Sequence, residues 1–229
     1  MDKILFRCSA LGKLMTEPKL KSDKEAGNIS ETAKTFVEEI WLENTFGYKE
    51  RVLTDEMSKG IECEESSFDL IQEVLKGEFR AKNLKRYSNE YIIGEPDLIT
   101  SDYVEDAKTS WNLRTFFNAE ITKDYEAQLQ GYMWLLGKQK ARLIYCLVKT
   151  PNDYILNEQK KLYYKFNCDE SNPMYKSMCD QLEHNNNLID AIPAEKRIKV
   201  FEIEQNQDFI DKLKNQVEKA RNYYNTLTL

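Results

Sequence analysis

In GEPDLITSDYVEDAK, residues 94–108, the acids Asp97 and Asp106 and the lysine Lys108 follow one another in an order that indicates the fold. Asp97 opens an apolar run bounded by turn residues, and Asp106 and Lys108 lie in a second short run after another turn. Both runs are typical of β-strands. Side chains alternate along a strand, so Asp106 and Lys108 share one face. We therefore expect the side chains of Asp106 and Lys108 to converge with that of Asp97, which lies on the neighbouring strand.

Predicted helices lie before and after this central run of strands. Ser30 is predicted to cap a helix that ends before Gly47, and Thr54 a second helix that runs to about Leu75. The remaining predicted elements are strands near 78–81, 84–88, 91–94, 96–100, 103–109, 141–149 and 197–204, and helices near 123–137, 153–165, 174–189 and 206–226. This order predicts an α/β fold, with a central mixed β-sheet flanked by helices on both faces.

Composition excludes several classes of protein. At 229 residues with 41% hydrophobic residues, the chain is long enough for one well-packed domain. No apolar run is long enough to cross a bilayer and the N-terminus lacks a signal-peptide pattern, so we expect a cytoplasmic protein without a membrane partner. Five scattered cysteines, Cys168 among them, indicate reduced thiols and not a disulfide framework or an iron–sulfur cluster. The single histidine, His184, makes histidine-based metal or nucleophile chemistry improbable.

The charge of the chain weighs modestly against a nucleic-acid substrate. The formal net charge is −6 at pH 7, whereas contacts to phosphate require cations. Net charge does not describe the local field, however, and basic residues gather on both sides of Asp97. These residues are Lys82, Lys85, Arg86, Lys108, Arg114 and Lys123.

Glu64 is the one carboxylate in an apolar stripe of the second predicted helix. The stripe recurs at steps of three and four residues. Its members are Met57, Ile61, Glu64, Phe68, Ile71 and Leu75. Burying a glutamate there is costly unless a cation or hydrogen bonds compensate. Two interpretations remain open: a rim position with a structural salt bridge, or a metal ligand that reaches the site from the helix beside the sheet.

Asp97 and Asp106 are either ordinary turn and strand acids or the centre of a metal site. Mg²⁺ prefers oxygen ligands and is usually held by one or two carboxylates together with water and phosphate. In the second interpretation Asp97 bridges two ions, Asp106 and the Ala107 carbonyl complete one shell, and Glu64 completes the other. Lys108 would then orient or help to deprotonate the attacking water and offset charge on the phosphate.

Gln128 lies on a predicted helix with Tyr125 and Tyr132 at helical spacing, in a stripe that we expect to be buried. The glutamine is either a core amide satisfied by the backbone or a residue that positions the water or Lys108.

Three residues are candidates for contact with phosphate. Arg114 follows Lys108 by six residues in a loop, and an arginine there is suited to bidentate phosphate contact, although a solvated arginine is equally common. Arg7 and Ser9 are weaker candidates, since Ser9 could instead cap a helix that begins at Ala10.

Taken together, these motifs resemble the λ-exonuclease-like branch of the PD-(D/E)xK nucleases. The resemblance covers roughly residues 5–150 and is most specific at Tyr125-Glu-Ala-Gln128-Leu-Gln-Gly-Tyr132-Met-Trp134. Its other elements are Arg7-Cys-Ser9, Gly60-Ile-Glu-Cys-Glu64, Pro96-Asp97, Asp106-Ala-Lys108 and Arg114. The resemblance implies a restriction-endonuclease-like core in a single domain over residues 1–229. We place the nuclease core at about 30–150 and a C-terminal helical elaboration at about 151–229.

The resemblance also implies an activity and a set of roles. Glu64, Asp97 and Asp106 would bind two Mg²⁺ ions, with Mn²⁺ able to substitute, while Lys108 and Gln128 serve the nucleophile. Ser9 and Arg114 would hold a terminal 5′ phosphate. The implied function is a Mg²⁺-dependent DNA exonuclease that acts 5′ to 3′ on double-stranded ends in phage recombination or DNA processing. Implied partners are a single-strand annealing protein and copies of the chain in a trimer.

Two alternatives to this function remain. One is an endonuclease or single-strand nuclease of the same fold, which would differ in its need for a DNA end. The other is a catalytically inactive recombination scaffold, which would have no reason to keep the full set of acids with Lys108 and Gln128.

Overall fold

A computed structural model describes residues 3–50, 53–166 and 171–229 of the chain. The β-strands are β1 (Phe6–Arg7), β2 (Tyr87–Ser88), β3 (Ile92–Gly94), β4 (Leu98–Ile99), β5 (Tyr103–Thr109), β6 (Lys140–Cys146) and β7 (Ile198–Glu204). The α-helices are α1 (Leu11–Leu14), α2 (Lys21–Glu25), α3 (Glu31–Phe46), α4 (Asp55–Glu62), α5 (Glu64–Val74), α6 (Leu113–Phe117), α7 (Lys123–Leu136), α8 (Asn152–Phe166), α9 (Pro173–Asn187) and α10 (Gln207–Tyr224).

The described strands form two sheets. One has the order β4-β5-β6-β7, in which β5 and β6 are parallel and both outer pairs are antiparallel. The other has the order β1-β3-β2 and joins the N-terminal strand to the segment before Asp97. The predicted mixed α/β class is confirmed. Parallel strands require a crossover, and α7 supplies it between β5 and β6.

Residues of β6 alternate between two apolar clusters, one on each face of the larger sheet. Ala141 and Leu143 belong to a cluster formed with residues of α1, α3, α7 and α10. Ile144 and Cys146 belong to a second cluster formed with residues of α5. The sheet is therefore covered by helices on both faces. The two faces of β5 consequently meet different chemical surroundings.

Capping residues bound α3 as predicted. The Ser30 side chain accepts a hydrogen bond from the Ala33 N–H, and Gly47 ends the helix with φ of 69°. Glycine adopts this left-handed backbone conformation without strain. The Thr54 cap is also confirmed, because its side chain accepts from the Met57 N–H.

The single helix predicted from Thr54 to Leu75 is wrong, because the chain breaks at Cys63 into α4 and α5. The break turns a different stripe toward the sheet. Met57 and Ile61 are exposed, whereas Lys59, Cys63 and Ser67 are buried. Neither glycine nor proline marks the break. It allows the Lys59 side chain to reach backbone carbonyls beyond the ends of β5 and β6.

The strand predicted at 78–81 is also wrong. The Arg80 N–H donates to the Gln72 side chain, and the Arg80 guanidinium turns inward to Glu105.

Among the described helices, none combines the length and the apolar composition that a bilayer span requires. Cys168 lies outside the described residues, and Cys8, Cys63, Cys146 and Cys179 are free thiols as expected.

Candidate active site

The β4–β5 pair brings Asp97 to Asp106. Its register pairs Leu98 with Glu105, so its continuation by one residue places Asp97 opposite Asp106. Asp97 Oδ2 accepts a hydrogen bond of 2.8 Å from the Ala107 N–H, which fixes the carboxylate against β5. Directly opposed residues of an antiparallel pair project from the same face of the sheet. The predicted meeting of these two carboxylates is therefore found.

Asp106 is buried, and its two carboxylate oxygens have different surroundings. Oδ1 accepts a hydrogen bond of 2.9 Å from Gln128 Nε2 on α7. Oδ2 lies 2.6 Å from Lys108 Nζ but, among the described residues, accepts no hydrogen bond with favourable angles. A buried carboxylate oxygen without a well-directed donor is costly in a purely structural role. Oδ2 nevertheless contacts the Lys108 ammonium, and a divalent cation at this oxygen would have to share or displace that contact.

Lys108 shares the face of Asp106, as the spacing of two residues predicts. Its Nζ lies 5.1 Å from the centre of the Tyr125 ring, which adds a cation–π contact. Burial opposes the charged form, but attraction to Asp106 and Asp97 outweighs it and raises the pKa of Lys108. The side chain is therefore an ammonium at neutral pH. In this state it donates hydrogen bonds and carries positive charge, but it does not accept a proton.

Gln128 begins a hydrogen-bonded chain that ends in the loop carrying Asp97. Its Nε2 also donates to Tyr132 Oη at 2.9 Å, and that hydroxyl donates to the Glu95 carbonyl at 3.3 Å. The interpretation of Gln128 as a core amide satisfied by the backbone is wrong, because its partners are side chains of the site. Gln128 positions Asp106, and Tyr132 links it to the segment before Asp97.

Gly94 permits the close approach of this loop to α7. A Cβ at Gly94 would lie 2.7 Å from both Tyr132 Cε1 and Cys8 Sγ, which is closer than real contacts allow. The glycine at the start of the deciding stretch is therefore required by packing against Tyr132.

Glu64 lies at the first turn of α5 and is half-buried, so the prediction that it lies inside a buried apolar stripe is wrong. It forms an ion pair with Lys82, whose side chain is also partly exposed. The salt-bridge interpretation describes this contact. Glu64 nevertheless lines the same cleft as Asp97, a cavity of about 610 Å³. The cleft also contains Lys49, Lys82 and Arg86, and each of these forms an ion pair with an acidic residue of the same cleft.

Asp97 carries the clearest electrostatic mark of a binding site. Burial and the neighbouring Asp106 carboxylate raise its pKa to about 7, and Lys108 and the Ala107 N–H only partly offset them. Two carboxylates held together without enough cations favour the protonated form of one of them. A divalent cation would relieve this repulsion.

The oxygen donors of Asp97 and Asp106 fit Mg²⁺, which is commonly held by one or two carboxylates and completes its shell with water and phosphate. Within the described ranges, no three histidine, cysteine or acidic side chains are grouped closely enough to hold a metal on their own. Glu64 is paired with Lys82 and would have to exchange this partner to become a ligand. Glu64 and the Ala107 carbonyl therefore remain predicted ligands.

The predicted phosphate-binding residues fall in two places. Arg7 and Ser9 are exposed and line the same cleft as Asp97. Ser9 lies inside the 3₁₀ turn Cys8–Ala10 and makes no capping hydrogen bond, so its interpretation as a helix cap is wrong. Arg114, on α6, lines a different cleft of about 630 Å³ with Trp111 and Phe117. The structure therefore does not place Arg114 in one cavity with Arg7 and Ser9.

Sequence reasoning missed Lys59 and Lys82. Lys82 was counted only as a nearby basic residue, yet it pairs with Glu64. Lys59 is buried, and its signal is the i, i+4, i+8 spacing of Lys59, Cys63 and Ser67. All three face the sheet despite the helix break.

Solved structures of exonucleases are similar to this chain. A phage related exonuclease from Haemophilus somnus 129PT is 30% identical, with a TM-score of 0.75 over 97% of this chain and 94% of the other. An alkaline exonuclease from Laribacter hongkongensis is 14% identical, with a TM-score of 0.60 over 96% of this chain and 88% of the other. The complex of that exonuclease with dAMP has a TM-score of 0.59. At 14% identity, the Laribacter structures support the shared fold alone.

No family model matches the sequence, and no curated protein matches it either. The family is established by the Haemophilus structure, which is similar over nearly the whole of both chains. The geometry of Asp97, Asp106, Lys108 and Gln128 agrees with this relationship. The chain belongs to the λ-exonuclease-like branch of the PD-(D/E)xK nucleases.

Proposed function

We propose that the protein is a Mg²⁺-dependent DNA exonuclease that digests double-stranded ends from 5′ to 3′ in phage recombination or DNA processing. The observation that carries the proposal is the meeting of Asp97 and Asp106 across β4 and β5. Lys108 lies on the same face and within 2.6 Å of Asp106. This arrangement supports hydrolysis of a phosphodiester at the cleft that Asp97 lines.

Each residue of the site has a separate role in this proposal. Asp97, Asp106, Glu64 and the Ala107 carbonyl would hold Mg²⁺. When bound, this ion stabilises charge on the attacking and leaving oxygens of an in-line displacement. The Lys108 ammonium orients the water and balances charge on the phosphate. Gln128 holds Asp106 Oδ1, and Oδ2 lies beside Lys108.

Arg7, Ser9, Lys82 and Arg86 support binding of a polyanion along the cleft. A hydroxyl and a guanidinium beside the carboxylates suit a terminal phosphate, and the lysine and Arg86 suit the chain that follows it. Lys82 and Arg86 are paired with Glu64 and Glu95, so binding of phosphate would require an exchange of these partners. Arg114 lies outside this cleft. Its contribution would be to nucleic acid that extends past α6, and not to the terminal phosphate itself.

The names of similar structures support the choice of exonuclease and of DNA. The Haemophilus relative is named a phage related exonuclease, and the Laribacter exonuclease was solved with dAMP, a deoxynucleotide. A trimer and an annealing-protein partner follow only from the resemblance, and light scattering of the purified chain checks the trimer.

The test is digestion of linear duplex DNA labelled at either the 5′ or the 3′ end, with Mg²⁺ or with EDTA. We expect a 5′ label to be released early as mononucleotide, only with Mg²⁺, and covalently closed circular DNA to stay intact. Asp106→Asn is the inactive control. Cleavage of closed circles would favour the endonuclease alternative. Activity in EDTA, or in the Asp106→Asn variant, would refute the mechanism.

A further inference from the structure

Lys59 is a buried lysine outside the candidate active site. Its side chain is 1% exposed, and its Nζ donates to three backbone carbonyls. The distances are 2.7 Å to Ser110 O, 2.8 Å to Trp111 O and 3.1 Å to Val148 O. An ammonium has three donors and no acceptor, so these carbonyls use its full hydrogen-bonding capacity. Burial lowers the pKa of Lys59 to about 8, which leaves it charged at neutral pH.

The three carbonyls belong to the segments just beyond the parallel strands. Ser110 follows the last residue of β5, and Val148 lies two residues beyond β6. Lys59 itself lies on α4, on the face of the sheet that α4 and α5 cover. One side chain therefore fixes α4 to the ends of both strands. Lys108 lies only two residues before Ser110 on β5.

A second contact links the same helices to the same strand. Ser67 Oγ, on α5, lies 2.9 Å from Thr109 Oγ1 at the end of β5. Glu64 is located between Lys59 and Ser67 in the sequence, at the junction of α4 and α5. The contacts of Lys59 and Ser67 thus flank Glu64 in the sequence. Both connect the helices to the end of β5, the strand that carries Asp106 and Lys108.

We propose that Lys59 is a positioning residue that fixes Glu64 relative to Asp106 and Lys108. The inference rests on the proposed metal site. Because the helix breaks at Cys63, the position of α4 depends on its own contacts with the sheet, whereas α5 packs on the sheet through Leu70 and Ile71. Without the ammonium, the three converging carbonyls would lose their shared donor. The α4–α5 junction would then no longer be held by Lys59 at a fixed position relative to the end of β5. Lys59 touches neither the metal nor the substrate in this scheme.

The test measures Mn²⁺ affinity of the metal-free full chain by electron paramagnetic resonance of free Mn²⁺. Lys59→Met keeps the length and apolar stem but removes every donor. We expect it to weaken Mn²⁺ binding by about three- to tenfold, at or below the effect of losing a group that is hydrogen-bonded directly to a metal ligand. Lys59→Gln, which keeps an amide donor on a shorter side chain, should lose less.

A matched control separates positioning from general stability. Leu213→Ala removes a fully buried side chain on α10, away from α4 and α5, and should lower the melting temperature without changing Mn²⁺ affinity. A folded Lys59→Met variant that binds Mn²⁺ as tightly as the Leu213→Ala control would overturn the inference. If Lys59→Met does not fold, Lys59→Gln carries the comparison, and parent-like Mn²⁺ affinity in that variant overturns the inference equally.

Asp97→Asn distinguishes failure of this inference from failure of the proposed function. Parent-like Mn²⁺ affinity in Asp97→Asn would show that the proposed metal site is absent, whatever the Lys59 variants do. Loss of Mn²⁺ binding in Asp97→Asn with unchanged affinity in Lys59→Met would keep the metal site and reject only the role of Lys59.

Discussion

Glu105 and Asp106 are neighbours on β5, both buried, and they face opposite sides of the sheet. Glu105 meets two arginines: Arg80 Nε at 2.8 Å and Arg142 Nη1 at 3.3 Å. Asp106 meets one lysine and one amide, and its Oδ2 lacks a well-directed hydrogen bond. A buried carboxylate saturated by arginines stabilises the fold, whereas one left short of donors beside a second carboxylate is suited to a cation. Glu105 and Asp106 therefore differ in the number of cationic side chains that pair with them, and their burial alone does not reveal this difference.

The largest expected effect is on catalysis by Asp106. Asp106→Asn keeps the size of the side chain but removes a metal-ligand charge, and we expect activity on end-labelled duplex to fall by about 10³-fold. Unfolding by urea should change little, because the substitution also removes repulsion with Asp97. A variant that is mainly unstable, with near-normal activity per folded molecule, would contradict the functional role of this carboxylate.

Glu105→Ala should show the reverse pattern. Removing this carboxylate leaves the buried Arg80 guanidinium without a carboxylate partner, whereas Arg142 keeps its ion pair with Glu202, and we expect a loss of about 3 kcal/mol of stability. Urea titration measures the loss, and Mn²⁺ affinity of the folded variant should equal that of the parent. If Glu105→Ala weakened Mn²⁺ binding as strongly as Asp106→Asn, the two faces of β5 would not be functionally separate.

The shortage of positive charge also predicts a pH dependence in the metal-free protein. Burial and Asp106 raise the pKa of Asp97 from 3.8 to about 7, so the folded state holds this proton more tightly than the unfolded state. The contribution of Asp97 to the free energy of unfolding is therefore present in full below pH 3.8 and is lost as the pH rises to about 7. In EDTA, the free energy of unfolding of the parent relative to Asp97→Asn should fall across that window. A difference that is constant with pH would contradict the shift.

The smallest expected effect concerns the partly exposed pair of Glu64 and Lys82. Exposed pairs contribute at most about 1 kcal/mol, so Lys82→Gln should leave the melting temperature nearly unchanged. It should free Glu64 from competition and raise Mn²⁺ affinity by about two- to threefold. Lys85→Gln, at an exposed lysine outside the cleft, is the matched control. Weaker Mn²⁺ binding in Lys82→Gln would show that Lys82 assists the site and does not compete with the metal.

Much of the fold was predictable because local signals and tertiary packing agree. Side-chain alternation placed Asp106 and Lys108 on one face, and the caps at Ser30 and Thr54 marked true helix starts. These features depend on the period of a strand and on hydrogen bonds within one helix turn. The meeting of Asp97 with Asp106 followed from the short turn between two strands.

The rest depended on contacts that are distant in the sequence. The break at Cys63 has no glycine or proline, and it accompanies hydrogen bonds from Lys59 to carbonyls about 50 and 90 residues away. The pairing of Glu105 with Arg80 and Arg142 likewise joins separate segments. For that reason, the sequence alone did not reveal that Glu105 is a structural carboxylate. The separation of Arg114 from Ser9 depends on where α6 packs.

The hydrogen bond from the Ala107 N–H to Asp97 ties the chemistry of this chain to the alignment of one strand. A slip of β5 by a single residue would reverse every side chain on it. Asp106 and Lys108 would then turn toward α5, and Glu105 and Ala107 would take their places beneath α7. The candidate active site therefore forms only with the correct register of β5. A molecule with a shifted register would keep nearly the same fold but would lack the arrangement of side chains proposed for hydrolysis.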